Sequence, residues 1–80
     1  MTEYWVEIFT NGKHTKCVDS FDKYKEAITY IAQNPLSSTA EDYCIGIPAY
    51  DDEGWLNDIA YLYPPEFAKD VEKIRKGEKS

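Results

Sequence analysis

From Glu26 to Ala68 the chain has no lysine, arginine or histidine. Those 43 residues carry eight carboxylates: Glu26, Glu41, Asp42, Asp51, Asp52, Glu53, Asp58 and Glu66. The first 25 residues balance four acids with four lysines, and the last 12 are net +2, so the formal charge of −6 sits in one block. Phosphate contacts need a basic groove, and the lack of one argues against direct nucleic-acid binding. The four glycines (Gly12, Gly46, Gly54, Gly77) are isolated, which excludes a glycine-rich phosphate loop. The longest charge-free stretch, Ala27 to Ala40, is interrupted by Thr, Gln, Asn, Pro and Ser, and no membrane span fits it. Met1-Thr2-Glu3-Tyr4-Trp5 has no basic region followed by an apolar run and does not read as a signal peptide. Cys17 and Cys44 stand apart with no C-x-x-C spacing, so a reduced pair in the cytoplasm is expected.

Chemistry-bearing motifs are equally scarce. Asp51-Asp52-Glu53-Gly54 fails as a calcium loop: with Gly54 at the invariant sixth position, Ala49 falls where an aspartate is required. His14 is the single histidine, and Cys17, three residues on, falls on the opposite face of a regular strand. No catalytic pair, metal site or cofactor is expected, and the chain reads as a non-enzyme.

What is present is enough for one small domain over residues 1–80, with 77–80 a frayed tail. At this length folding removes about 60% of the unfolded chain's surface from water. A total stability of roughly 4–12 kcal/mol follows. Aromatic residues make up 15% of the chain, which argues against disorder.

Glu3 to Thr10 is aromatic and β-branched, and Asn11-Gly12 follows it, the strongest short-range signal for a type I′ hairpin. A two-residue turn predicts the pairs Thr10/Lys13, Phe9/His14, Ile8/Thr15, Glu7/Lys16, Val6/Cys17 and Trp5/Val18. Tyr4, Val6, Ile8, Thr15 and Cys17 then share the core face. Trp5, Glu7, Phe9, His14, Lys16 and Val18 share the other. A helix begins near Ser20 or Asp22 as N-cap, with Tyr24, Ala27, Ile28 and Ile31 on one stripe, and Pro35 ends it. Tyr43 to Tyr50 alternates as a strand, with Pro48 at an edge or bend. Trp55 to Tyr63 fits a strand better than a helix, because a turn precedes it and Pro64-Pro65 follows. Pro65 opens a last helix, with Phe67, Val71 and Ile74 expected to cover the Trp5/Phe9 face and Lys73, Arg75 and Lys76 near its C-terminus. The fold class is α+β: an antiparallel sheet of two hairpins, order ββαββα, packed by one central helix, with a short C-terminal helix.

The acidic block also holds Tyr30, Tyr43, Tyr50, Tyr61, Tyr63 and Trp55. Tyrosine and tryptophan act as rigid anchors in interfaces, and carboxylates beside them match a partner's phosphate-binding lysines and arginines. Glu41, Asp42, Tyr50, Asp51, Asp52, Glu53, Trp55 and Asp58 are therefore the candidate partner-binding residues. In size, acidity and tyrosine content the chain resembles the small proteins that phages and plasmids encode against host nucleic-acid enzymes, anti-CRISPR and anti-restriction proteins among them. That resemblance implies an inhibitor, some of which mimic DNA, bound to the basic surface of a nucleic-acid-processing complex. The alternative is a small adaptor domain that dimerises through the aromatic hairpin face. A monomer or a homodimer fits these readings, with neither nucleic acid nor membrane as direct partner.

Overall fold

The computed structural model describes residues 3–77, and the part of the expected frayed tail from 78 onward lies outside them. The elements run β1 (Tyr4–Thr10), β2 (Lys13–Phe21), α1 (Tyr24–Gln33), β3 (Glu41–Tyr50), β4 (Leu56–Leu62) and α2 (Pro64–Arg75). The two hairpins join through β1 and β3 into one antiparallel sheet of order β2-β1-β3-β4. This is the expected α+β class, and the segment around Trp55 to Tyr63 is a strand.

The first turn takes both central residues to positive φ, Asn11 at 51° and Gly12 at 82°, as type I′ geometry requires. The ladder beyond it departs from the expected one. Thr10 pairs with Lys13 and Phe9 with His14, but Ile8 then pairs with Lys16, Glu7 with Cys17 and Val6 with Asp19. Two β-bulges leave Thr15 and Val18 as extra residues on β2. Each slip moves the rest of that strand by one residue relative to β1. The slips bring Tyr4 opposite Phe21, and both Val18 and Phe21 pack against the core, where Phe21 meets Tyr30 at 5.7 Å between ring centroids. Burial of these apolar side chains is what the broken ladder gains. Cys17 thereby leaves the core face expected for it and pairs with Glu7 on the other.

The bulges also extend β2 through Ser20 and Phe21, so neither Ser20 nor Asp22 caps α1. Lys23 occupies that position without a side-chain hydrogen bond. The C-terminal end of α1 lacks a basic residue of its own, and Arg75 of α2 supplies one: its Nε donates to Ala32 O at 3.2 Å and its Nη2 to Ile31 O at 3.4 Å. Tyr24 Oη ties the other end of α1 to α2 by donating to Asp70 Oδ2 at 2.7 Å. Burial first, and Asp70 second, push that hydroxyl up to about 12, so it keeps its proton.

Both helices lie on the same face of the sheet. Ala27, Ile28, Ile31 and Ala32 of α1, Phe67 and Val71 of α2, and Val6, Ile8, Tyr43 and Ile45 of the sheet form one buried cluster. The expectation that α2 covers the Trp5/Phe9 face is therefore wrong. Its apolar stripe is used up against α1 and the core face. Glu66, expected within the block but unassigned, fixes the start of α2 by accepting the Tyr63 N–H at 2.9 Å. The molecule is 19 Å thin, room for a sheet and a single helix layer of about 10 Å. Pro48 also finds its reason. Pairing of β1 with β3 ends at Gly46, so from Ile47 onward β3 has a strand neighbour only on its β4 side.

Ile28 is 1% exposed at the centre of the core. Ile28→Ala should cost about 2–5 kcal/mol in denaturant titration, a large part of the total stability of so short a chain. A loss below about 1 kcal/mol would show that the stripe on α1 is not the core.

Candidate functional site

Two surfaces carry unusual side chains. The first is the tip of the β3–β4 hairpin. Asp51 builds it: its carboxylate accepts the N–H of Glu53 and of Trp55, both at 2.9 Å, and its backbone N–H donates to Trp55 O at 2.9 Å. Gly54, at φ 87°, lets the chain turn back. The loop so held presents Trp55 at 69% exposure, Leu56 at 50% and Tyr50 at 45%. Asp52, Glu53 and Asp58 are exposed around them.

Of the sequence-derived candidates, the structure gathers Tyr50, Asp51, Asp52, Glu53, Trp55 and Asp58 at this tip. Glu41 and Asp42 lie at the far end of β3, nine and eight residues from Tyr50, or about 26–30 Å along an extended strand. A block continuous in sequence is thus split in space. Asp51 differs from its neighbours because its carboxylate holds the loop, a role readable from an Asx turn in Asp-Asp-Glu-Gly.

The second surface is the uncovered face of the sheet, the aromatic hairpin face of the sequence analysis, to which β3 and β4 add side chains that the hairpin alone did not show. Trp5, Glu7 and Phe9 of β1 share it with His14 and Cys17 of β2. Their cross-strand partners Gly46, Cys44 and Asp42 of β3 lie on the same face, as does Tyr61 of β4. Rings from both edge strands lean inward, His14 to Tyr61 at 4.5 Å and His14 to Tyr63 at 6.2 Å between centroids. Beneath them Cys44 is 0% and Glu7 9% exposed. Gly46 makes room for this arrangement. A Cβ there would stand 3.1 Å from Glu7 Oε2 and 3.2 Å from Tyr61 Cε1.

Glu7 Oε1 lies 3.2 Å from His14 Nδ1, and Cys44 Sγ lies 3.7 Å from the same nitrogen. The expectation that His14 and a cysteine occupy opposite faces therefore fails. The first bulge turns Cys17 to the side of His14, and Cys44 arrives from β3. No alternation in Lys13-His14-Thr15-Lys16 signals the shift, which shows only in the structure as a nine-residue β2 facing a seven-residue β1. Burial, then the Glu7 carboxylate, then Cys17 push the Cys44 thiol up to about 12. A thiol so protonated is no nucleophile at neutral pH.

The chain matches no protein-family model, no curated protein and no solved structure. Among the described residues, no helix is long and apolar enough to cross a membrane.

Both thiols are free, Cys17 exposed and Cys44 buried. A disulfide-exchange reagent at neutral pH should label one thiol per folded chain, Cys17, and the second only after denaturation. Two thiols reacting equally fast in the folded protein would show that the aromatic roof does not cover Cys44.

Proposed function

We propose that this protein is a non-enzymatic interaction module whose acidic β3–β4 tip occupies a basic, nucleic-acid-binding surface of a partner protein. The observation that carries this reading is what surrounds Trp55. Three of the four exposed large apolar side chains among the described residues, Trp55, Leu56 and Tyr50, stand together beside Asp52, Glu53 and Asp58. An exposed apolar cluster rimmed by charge is how interface anchors are commonly arranged.

Charge placement supports the same reading. The lysines of the sheet, Lys13 and Lys16, are on β2, and β4 is at the opposite edge. Three strand spacings separate them, about 14 Å. That exceeds the Debye length of about 8 Å at physiological salt, so these cations do little to neutralise the tip. Carboxylates seated on a phosphate-binding surface exclude phosphate, so the consequence of binding is inhibition. This agrees with the resemblance in size and charge to anti-restriction and anti-CRISPR proteins.

A second reading rests on the helix-free sheet face, where Trp5, Phe9, Tyr61 and Tyr63 offer apolar area to a second copy of the chain. Sedimentation separates the two. Apolar dimerisation holds or strengthens with salt, whereas charge-driven capture weakens.

The immobilised protein, exposed to cell lysate at low and high salt, should retain a basic partner only at low salt. Trp55→Ala should weaken binding to that partner by about 30-fold, the scale of an interface anchor worth about 2 kcal/mol. Asp52→Lys with Glu53→Lys, leaving Asp51 to hold the loop, should slow association by about tenfold or more. Full affinity and an unchanged association rate in both variants would overturn the proposal.

A further inference from the structure

Under the roof of rings, three different donor atoms from three adjacent strands converge: Oε1 of Glu7 on β1, Nδ1 of His14 on β2 and Sγ of Cys44 on β3. All three lie within 4.8 Å of one another. Zinc holds oxygen and nitrogen ligands at about 2.0–2.2 Å and sulfur at about 2.3 Å. A tetrahedron with those arms has edges of about 3.3–3.6 Å. The observed separations from His14 Nδ1, 3.2 Å to oxygen and 3.7 Å to sulfur, bracket those edges.

Hydrogen bonding does not account for both contacts at once. In a neutral imidazole, Nδ1 either donates to the Glu7 carboxylate or accepts from the Cys44 thiol. A cation at the centre satisfies all three donors together. The other ring nitrogen, Nε2, faces Tyr63 Oη at 3.4 Å. Ligating histidines typically use their second nitrogen in this way, to fix the ring by an outer hydrogen bond. A mixed sulfur, nitrogen and oxygen set favours a borderline-soft ion over calcium or magnesium.

We propose that Glu7, His14 and Cys44 form a binding site for a divalent transition-metal ion of the zinc type. The fourth position opens toward a surface depression lined by Trp5, Glu7, His14, Lys16 and Cys17. On binding, the ion takes the place of the Cys44 thiol proton, which passes to solvent, and it cross-links the first hairpin to β3. Cys17, the cross-strand partner of Glu7, has its Sγ 3.7 Å from Asp19 O and is not one of the three ligands.

Cobalt(II) added to the metal-free full chain is the optical probe. One equivalent should produce a thiolate-to-cobalt charge-transfer band and the intense visible bands of tetrahedral cobalt, and one equivalent of zinc should abolish both. His14 is exposed, so His14→Ala should keep the circular dichroism of the fold. It should lose the charge-transfer band and weaken zinc binding by about 100-fold or more, since loss of even an outer-shell partner of a ligand costs about 10–100-fold. Cys17→Ser should keep both. The proposal fails if the wild-type chain gives no charge-transfer band or if His14→Ala retains it. It fails equally if Cys17→Ser loses the band, which would place the ion on the exposed thiol.

Discussion

Seven residues of β1 face nine of β2 across a tight two-residue turn, and the rest of the molecule depends on how those two extra residues are absorbed. An unbroken ladder would leave Phe21 beyond the end of β1 and Val18 on the solvent face. The bulges at Thr15 and Val18 instead let Val6 and Ile8 keep their places in the core while Phe21 closes its edge against Tyr30. A regular strand exposes its side chains in strict alternation, so two single-residue slips are the least disruptive way to shift β2 by two positions. Their side effect is chemical: Cys17 moves to the uncovered face, alongside His14 and Glu7.

Burial then divides the molecule into two unlike sides. One carries the hydrocarbon core, with both helices tied together by Tyr24 to Asp70 and by Arg75 to the last carbonyls of α1. Those ties couple the C-terminal helix to the central one, so neither helix covers the far side of the sheet. That far side is roofed by its own rings. His14 and Tyr61 lean in from opposite edges over Glu7, Cys44 and the space that Gly46 leaves. A carboxylate with so little exposure is tolerable because it keeps a hydrogen-bond partner, here the His14 ring.

Much of this was legible in the sequence because the deciding interactions are local. Asn11-Gly12 dictates its turn through positive φ, the Tyr24, Ala27, Ile28, Ile31 stripe through helical period, and Pro64-Pro65 the end of β4. The bulges were not legible. The stretch Lys13-His14-Thr15-Lys16 has no alternation to fix a register, and the deciding contact, Phe21 on Tyr30, spans two elements. The destination of α2 was hidden for the same reason, since Phe67, Val71 and Ile74 fit either sheet face until Asp70 and Arg75 find α1. Part of the acidic surface was legible as charge but not as shape. β3 runs the full length of the sheet and carries Glu41 and Asp42 away from the tip, while Asp51 is occupied in holding its loop.

The bulged register is the claim on which the uncovered face and its donor cluster both rest, and proton nuclear Overhauser contacts across β1 and β2 read it directly. The account predicts cross-strand contacts of Glu7 with Cys17, Val6 with Asp19 and Tyr4 with Phe21. Contacts of Glu7 with Lys16 and Val6 with Cys17 would belong to an unbroken ladder and would contradict it.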